Sequence, residues 1–506
     1  MTKHTVGEQY ILAIDQGTSS TKTIIFDAEG KVVAKATEPL KTFYSEGGFV
    51  EQDPEEIYTN VLTSVKNCLD EFKKSGGSLS AIKTCGISNQ RETFVVWNEF
   101  GQALHNAVVW QCKRSVGVCQ DLLEKGLEPE IREKTGLIID PYFSGTKMIW
   151  LNQHIPVVTA TVTERQARFG TIDTWLLYKL TKGKKYATDY TNASRTLFFN
   201  LHTLQWDREL LDQFGLSRLK LPELQPSSSH FGDTDFDGLL PAVIPINSMI
   251  GDSHAAAFGE GCFSPGTAKA TLGTGCSILM NIGDKPKASG NGMITTVCWS
   301  TEQQVDFALE GVIVSCGSTI EWLKNELSII KDPAETEAIA NALPDNNGVY
   351  LIPAFSGLGA PYWDMNRKAA ISGLTFDCNK NHIIRAALES IPYQIKDVIS
   401  AMQADAGIQL NELMVHGGLT ANQFILHFLA DLLDCQLVRS TMPDVSALGA
   451  ALLAGLKAGI FKDLEEIKGL YTQKTVVTKG DFAAGMDGYY EGWLRAINGS
   501  FAAKIT

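Results

Sequence analysis

The chain has 506 residues, of which 44% are hydrophobic and 20% charged, with a formal net charge of −13. That length and balance describe a globular protein of two or three domains with a large buried core. The acidic surplus excludes a general binder of nucleic acid or of anionic membranes, whose phosphates need a basic surface; an anionic small ligand held by backbone N–H groups stays open.

In chain order, "YILAIDQGTSSTKTIIFDAEGKVVAKA" predicts three strands joined by the polar turn "DQGTSSTK" (Asp15 to Lys22) and by "AEG". The stretch "YILAI" is short and ends at Asp15, so it reads as a strand and not as a signal peptide. Next, "DPEEIYTNVLTSVKNCLDEFKKS" predicts a helix, acidic at its start and lysine-rich at its end as the helix dipole prefers. "AIKTCGISNQRETFVVW" then reads as strand again. Strands alternating with helices predict an α/β fold.

Past the midpoint, "PGTAKATLGTGCSILMNIGD" returns to strand, small-residue turn and strand. This weak internal repeat predicts two α/β domains, residues 1–257 and 258–506, with the boundary near Ala255–Ser264. The apolar run "ALGAALLAGL" from Ala447 is about half a membrane span and reads as a packed helix. Ten scattered cysteines form no CxxC pair and no zinc spacing, which points to a reduced, cytoplasmic setting.

The turns carry the chemistry. "DQGTSSTK" and "LGTGCS" (Leu272 to Ser277) each set Gly, Thr and Ser between two strands. Glycine lets a ligand approach the backbone, and N–H and hydroxyl groups donate to phosphate oxygens. Asp15 suits Mg²⁺ held partly through water, and Lys22 suits a transferring phosphoryl group. "VHGGLTANQF" (Val415 to Phe424) adds a Gly-Gly step between a strand and a helix starting near Ala421, with room for adenine or its ribose. Ordinary hairpin and strand–helix turns use the same residues. In "IGDSHAAAFGEG" (Ile250 to Gly261), Asp252 and Ser253 before an alanine run read as a helix N-cap.

Longer segments carry a resemblance. "YFSGTKMIWLNQH" (Tyr142 to His154) and "AAISGLTFDCNKNHIIRAALE" (Ala369 to Glu389) match the two signatures of the FGGY carbohydrate kinases. "SNQRETFVVW", "NAVVWQCKR", "TDYTNASRTL", "ALEG" and "PAFSGLGAPYWD" resemble the glycerol kinase branch of that family. The resemblance covers nearly the whole chain. It implies two actin-like ATPase (ribonuclease H-like) domains with a cleft between them, ATP and Mg²⁺, and a homodimer or homotetramer without membrane insertion. Carried over residue by residue, it implies phosphate contacts at Thr18, Ser19, Ser20, Lys22 and Thr274, and a nucleotide path along Gly317, Glu321, Gly418 and Asn422. It implies an acceptor pocket of Arg91, Glu92, Trp110, Tyr142 and Asp252, with Asp252 as catalytic base, and Asp15 with Asp252 toward the metal.

Several positions depart from that pattern. Lys22 replaces an arginine, Glu321 a glutamine and His416 an aspartate. Ser253 and His254 follow the base where the branch has two glutamines, and Ser277 stands for a phenylalanine. Ser253 and Ser277 make the acceptor pocket wider and more polar, whereas His254 reads as a packed helix residue. The segment "DFDGLLPAVIP", where the branch binds fructose 1,6-bisphosphate, has no arginine and two aspartates, which disfavours that control. The expectation is an ATP-dependent kinase of a terminal hydroxyl, with glycerol first. A four- or five-carbon polyol or ketose is the alternative, and an actin-like ATPase switch without a sugar substrate is the rival of another class.

Overall fold

The computed structural model describes residues 9–440, 442, 444–470, 475–480, 482 and 485–499. Two large sheets organise it, and they repeat one design. The first has six strands in the order Ser228–Thr234, Ile244–Gly251, Ile82–Asn89, Tyr10–Gln16, Ser20–Asp27 and Val32–Pro39. Tyr10–Gln16 pairs antiparallel with Ser20–Asp27 and parallel with Ile82–Asn89, which pairs parallel with Ile244–Gly251. In the second sheet, of seven strands, Thr267–Leu272 takes the same part. It is antiparallel to Cys276–Gly283 and parallel to Glu412–His416, itself parallel to Gln436–Arg439. The weak repeat in the sequence is therefore a repeat of topology.

Local chemistry explains these elements. Tyr10–Ile14 is buried along its whole length, as expected of a strand covered on both faces. Asp53 caps the helix Pro54–Lys74 by accepting from Glu55 N at 2.8 Å. Ile57, Val61, Val65, Cys68 and Phe72 form its buried stripe, packed on Ser20–Asp27 and Val32–Pro39. A five-stranded sheet that includes Phe49–Gln52, Phe94–Trp97 and Arg168–Thr171 extends the first half.

The predicted strand through "SNQRETFVVW" is in fact two, Ile82–Asn89 and Phe94–Trp97, broken at Gln90–Thr93. The break turns on Glu92, whose φ of 58° puts it in the left-handed region. A non-glycine residue held there costs energy and is typical of a functional turn.

The two halves share a core. The helix Val445–Lys457 lies in the second half of the sequence but packs on the helix Asp252–Gly259 and on Ile82–Asn89 of the first sheet. Glycine permits this contact: a Cβ on Gly449 would run into the carbonyl oxygen of Ala255. Ile11, Phe26, Phe258, Trp299 and Leu452 belong to this shared cluster. All ten cysteines are unpaired and eight are buried. Among the described residues, no helix is long and apolar enough to cross a membrane.

Candidate active site

The carboxyl ends of the parallel strands point into one cleft, the usual place for a ligand on such sheets. Registers bring Asp15 opposite Ser88, and Gly251 opposite Asn89. Asp15, Arg91 and Asp252 therefore leave neighbouring strand ends on the same side. From the second sheet, Thr271 lies opposite both Ser277 and His416.

A cavity of about 290 Å³ opens there, lined by Thr18, Arg91, Glu92, Trp110, Tyr142 and Asp252. Ser253 and Ser277 line it too, so every expected acceptor residue faces one space. Trp110 and Tyr142 meet edge to face with ring centroids 5.5 Å apart, forming an apolar wall. The indole Nε1 of Trp110 donates to Thr18 Oγ1 at 3.0 Å, which ties that wall to the first phosphate turn.

Asp252 is the first residue of its helix, with Gly251 at the N-cap position. Its Oδ1 accepts from Ser253 N at 2.6 Å, so it satisfies an early helix N–H without being the N-cap itself. The same oxygen lies 3.4 Å from Arg91 Nε. Behind the cavity runs a chain of buried charges. Arg91 Nη2 is 2.8 Å from Glu310 Oε1, Arg195 Nη1 is 2.7 Å from Glu310 Oε2, and Arg195 Nε is 2.6 Å from Glu92 Oε1. Burial opposes ionisation of Glu310, but Arg195 and Arg91 outweigh it and hold the carboxyl well below its usual range. Among the arginine and glutamate side chains that line the cavity, Arg91 Nη1 and Glu92 Oε2 are buried and make no hydrogen bond to the described residues; Arg195 Nη2, off the cavity lining, makes none either.

Glu310, Arg195 and Lys269 were not singled out from the sequence. A glutamate in the middle of the apolar strand Val305–Ile313 is the kind of signal that finds the first of them. Lys269 is buried in Thr267–Leu272, and its Nζ donates to Ser253 Oγ at 2.7 Å and to Thr271 Oγ1 at 3.0 Å. Burial lowers its pKa. Ser253 Oγ also stands 3.5 Å from Ser277 Oγ. His254 is fully buried, and burial lowers its pKa well below the ordinary value; its Nε2 is 3.3 Å from Thr296 Oγ1. It is a packed residue of the helix. His416 lines the acceptor cavity, with Nδ1 2.8 Å from Glu260 Oε1.

The phosphate turns flank the cleft. Asp15 accepts from Ser88 Oγ at 3.1 Å, and Lys22 Nζ is 3.9 Å from its Oδ2. Burial pushes the Asp15 carboxyl up to about 6, against the nearby Lys22. Ser19 and Thr274 are exposed, Ser20 half-buried. Gly317 N donates to Gly273 O at 2.9 Å and so closes on the second turn.

A separate cavity of about 230 Å³ holds Gly418, Asn422, Thr336 and Leu388 on its lining. Asn422 caps the helix Gln423–Leu432, its Oδ1 accepting from Ile425 N at 3.2 Å. That helix starts just after the position expected from the sequence. Glu321 is exposed and is not among the residues lining this cavity; its Oε2 accepts from Asn325 Nδ2 at 3.4 Å.

Comparison with known proteins gives a consistent result. The N-terminal domain of the FGGY family of carbohydrate kinases matches residues 10–259, and the C-terminal domain of that family matches residues 268–458. A glycerol kinase of Symbiobacterium thermophilum is 45% identical over 489 residues, 96% of this chain and 97% of that protein. Glycerol kinase 1 of Thermotoga maritima is 47% identical over 491 residues, 96% of this chain and 99% of that protein. The crystal structure of Plasmodium falciparum glycerol kinase with ADP is similar at a TM-score of 0.91 and 34% identity, covering 97% of this chain and 98% of that one.

Proposed function

The chain belongs to the FGGY family of carbohydrate kinases, and on that footing we propose that it transfers the γ-phosphoryl group of ATP to a terminal hydroxyl of glycerol. It is an ATP-dependent kinase. The observation that carries the acceptor site is the pair of unpartnered atoms on the cavity-lining Arg91 and Glu92. Arg91 Nη1 offers a buried donor and Glu92 Oε2 a buried acceptor, beside Asp252 and under the Trp110–Tyr142 wall. Unsatisfied buried polar atoms are costly unless a ligand completes them. Adjacent hydroxyls, each both donor and acceptor, fit that pair.

Asp252 accepts the proton as the hydroxyl oxygen bonds to the γ-phosphorus and the bond to the β-phosphate oxygen breaks, releasing ADP. A carboxylate is a weak base for an alcohol, but the transition state is loose and the proton leaves late. Positioning by Arg91, Glu92 and Trp110 then supplies much of the rate. Lys22 and the turns at Thr18, Ser19, Ser20 and Thr274 hold the phosphoryl oxygens. The nucleotide follows Gly317, Gly418 and Asn422, with its base toward the 230 Å³ cavity.

Mg²⁺ fits the residues present. Burial is the main cost of ionised Asp15, and the neighbouring Asp252 adds to it. A divalent cation held by Asp15 and Asp252 would remove that cost and would supply positive charge to the transferring phosphoryl group. Among the described residues no cluster of three or more His, Cys, Asp or Glu is arranged for a metal; the Asp15 and Asp252 carboxylates would hold the ion, oxygen donors of the kind magnesium prefers.

One observation favours a second reading. The hydroxyls of Ser253 and Ser277, 3.5 Å apart and backed by Lys269, offer donors to one more substrate oxygen. A four- or five-carbon polyol or ketose is the acceptor class this suits. The actin-like switch without a sugar has no use for these groups. Unpaired buried cysteines support the cytoplasmic setting, and a homodimer or homotetramer is the proposed assembly. A coupled ADP-release assay over glycerol, erythritol, erythrulose, xylulose and ribulose tests the reading. Glycerol turned over far faster than the rest supports it and removes the second one; a longer acceptor turned over fastest reverses the two.

A further inference from the structure

We propose that Glu310 is a positioning residue for the acceptor, acting from the second half of the chain on Arg91 and Arg195 of the first. The inference rests on the reading that Arg91 and Glu92 grip the polyol. Glu310 sits on the strand Val305–Ile313 and is fully buried. Its two oxygens serve two arginines, Oε1 at 2.8 Å from Arg91 Nη2 and Oε2 at 2.7 Å from Arg195 Nη1. Arg195 passes the constraint on, with its Nε 2.6 Å from Glu92 Oε1. Its guanidinium also lies 5.2 Å from the Phe143 ring and 5.9 Å from the Tyr142 ring, which fixes its plane.

One carboxylate thus decides which atoms remain for substrate. It occupies Nη2 of Arg91 and leaves Nη1. Through Arg195 it keeps Oε1 of Glu92 engaged and leaves Oε2. Without Glu310, Arg91 has Asp252 as its nearest remaining carboxylate partner, its Nε already 3.4 Å away. Arg195, released from Glu310, has Glu92, and a guanidinium facing one carboxylate pairs with both of its oxygens. Both captures act against the acceptor: the base is drawn into an ion pair, and Glu92 Oε2 is covered. The nucleotide turns at Thr18 and Thr274 are not part of this chain of charges. The effect belongs to acceptor binding and not to ATP.

The test uses the full-length enzyme with Glu310→Gln and Arg195→Lys, singly and combined, with the polyol that the wild type turns over fastest. ADP binding to each variant reports that the fold is intact. Each single variant is expected to raise the acceptor KM about tenfold or more while the KM for ATP stays within about twofold. The double variant is expected to be no worse than the more severe single one, because the two residues act as a unit. An acceptor KM within about twofold of wild type in a variant that binds ADP normally overturns the proposal, as does a parallel rise of both KM values. If Glu310→Gln fails to fold, Arg195→Lys, which keeps its charge but reaches only one carboxylate, carries the same comparison. A wild type that turns over no polyol overturns the functional reading and this inference together, which separates the two failures.

Discussion

The Nε of Arg91 lies 3.4 Å from Oδ1 of Asp252. Both side chains line the cavity, so an acceptor hydroxyl placed there meets a donor and a proton acceptor together. Asp252→Asn keeps the size of the side chain and an oxygen for Ser253 N but has no capacity to take a proton. Turnover is expected to fall about 10²- to 10⁴-fold, with ADP affinity by calorimetry close to wild type. Near-normal turnover removes Asp252 as the base.

Ser277 stands where an aromatic wall would narrow the pocket, 3.5 Å from Ser253 Oγ. Ser277→Phe fills that corner and removes one hydroxyl. Four- and five-carbon acceptors are expected to lose about tenfold or more in kcat/KM relative to glycerol. Unchanged ratios across the acceptor panel show that Ser277 does not face the substrate chain.

The helices Asp252–Gly259 and Val445–Lys457 touch at Gly449, against the carbonyl oxygen of Ala255. Gly449→Ala pushes them apart at a contact made of backbone on both sides. A loss of about 1–3 kcal/mol is expected in denaturant unfolding, together with lower turnover, since the first helix begins with Asp252. A stability equal to wild type means that the pair adjusts without cost.

Asp397 receives Tyr490 Oη at 2.6 Å, Trp493 Nε1 at 2.8 Å and Tyr362 Oη at 2.9 Å. Burial still pushes its carboxyl up to about 6 from 3.8. Between those two values the folded chain holds a proton that the unfolded chain has released, so stability falls as pH rises through that window. The change is about 3 kcal/mol. Denaturant midpoints from pH 4 to 6.5 are expected to fall less steeply in Asp397→Asn than in the wild type, with Asp15, also raised to about 6, keeping its own share. An unchanged slope in the variant assigns the dependence elsewhere.

What was legible in the sequence followed from local pattern. The strand–turn–strand units at Asp15 and Gly273 and the helix from Pro54 follow from apolar runs, small-residue turns and an Asp cap. Arg91, Glu92 and Asp252 meet in the cavity because they follow the ends of parallel strands, and Trp110, Tyr142 and Ser277 reach it from other elements; the resemblance, not the pattern, indicated them. The rest depends on contacts remote in sequence. Glu310 meets Arg91 and Arg195, and Lys269 meets Ser253, only once the two halves close on each other. The left-handed turn at Glu92 was hidden for another reason: the apolar residues on either side read as one strand.

The most direct test of the central claim follows the phosphoryl group itself. The enzyme is given γ-labelled ATP, Mg²⁺ and glycerol, and the fate of the label is read by NMR or mass spectrometry, in the wild type and in Asp252→Asn. The account predicts label on a terminal carbon's oxygen in glycerol, formed by the wild type and lost in the variant. Label released only as inorganic phosphate, at a rate that glycerol does not change, would contradict it.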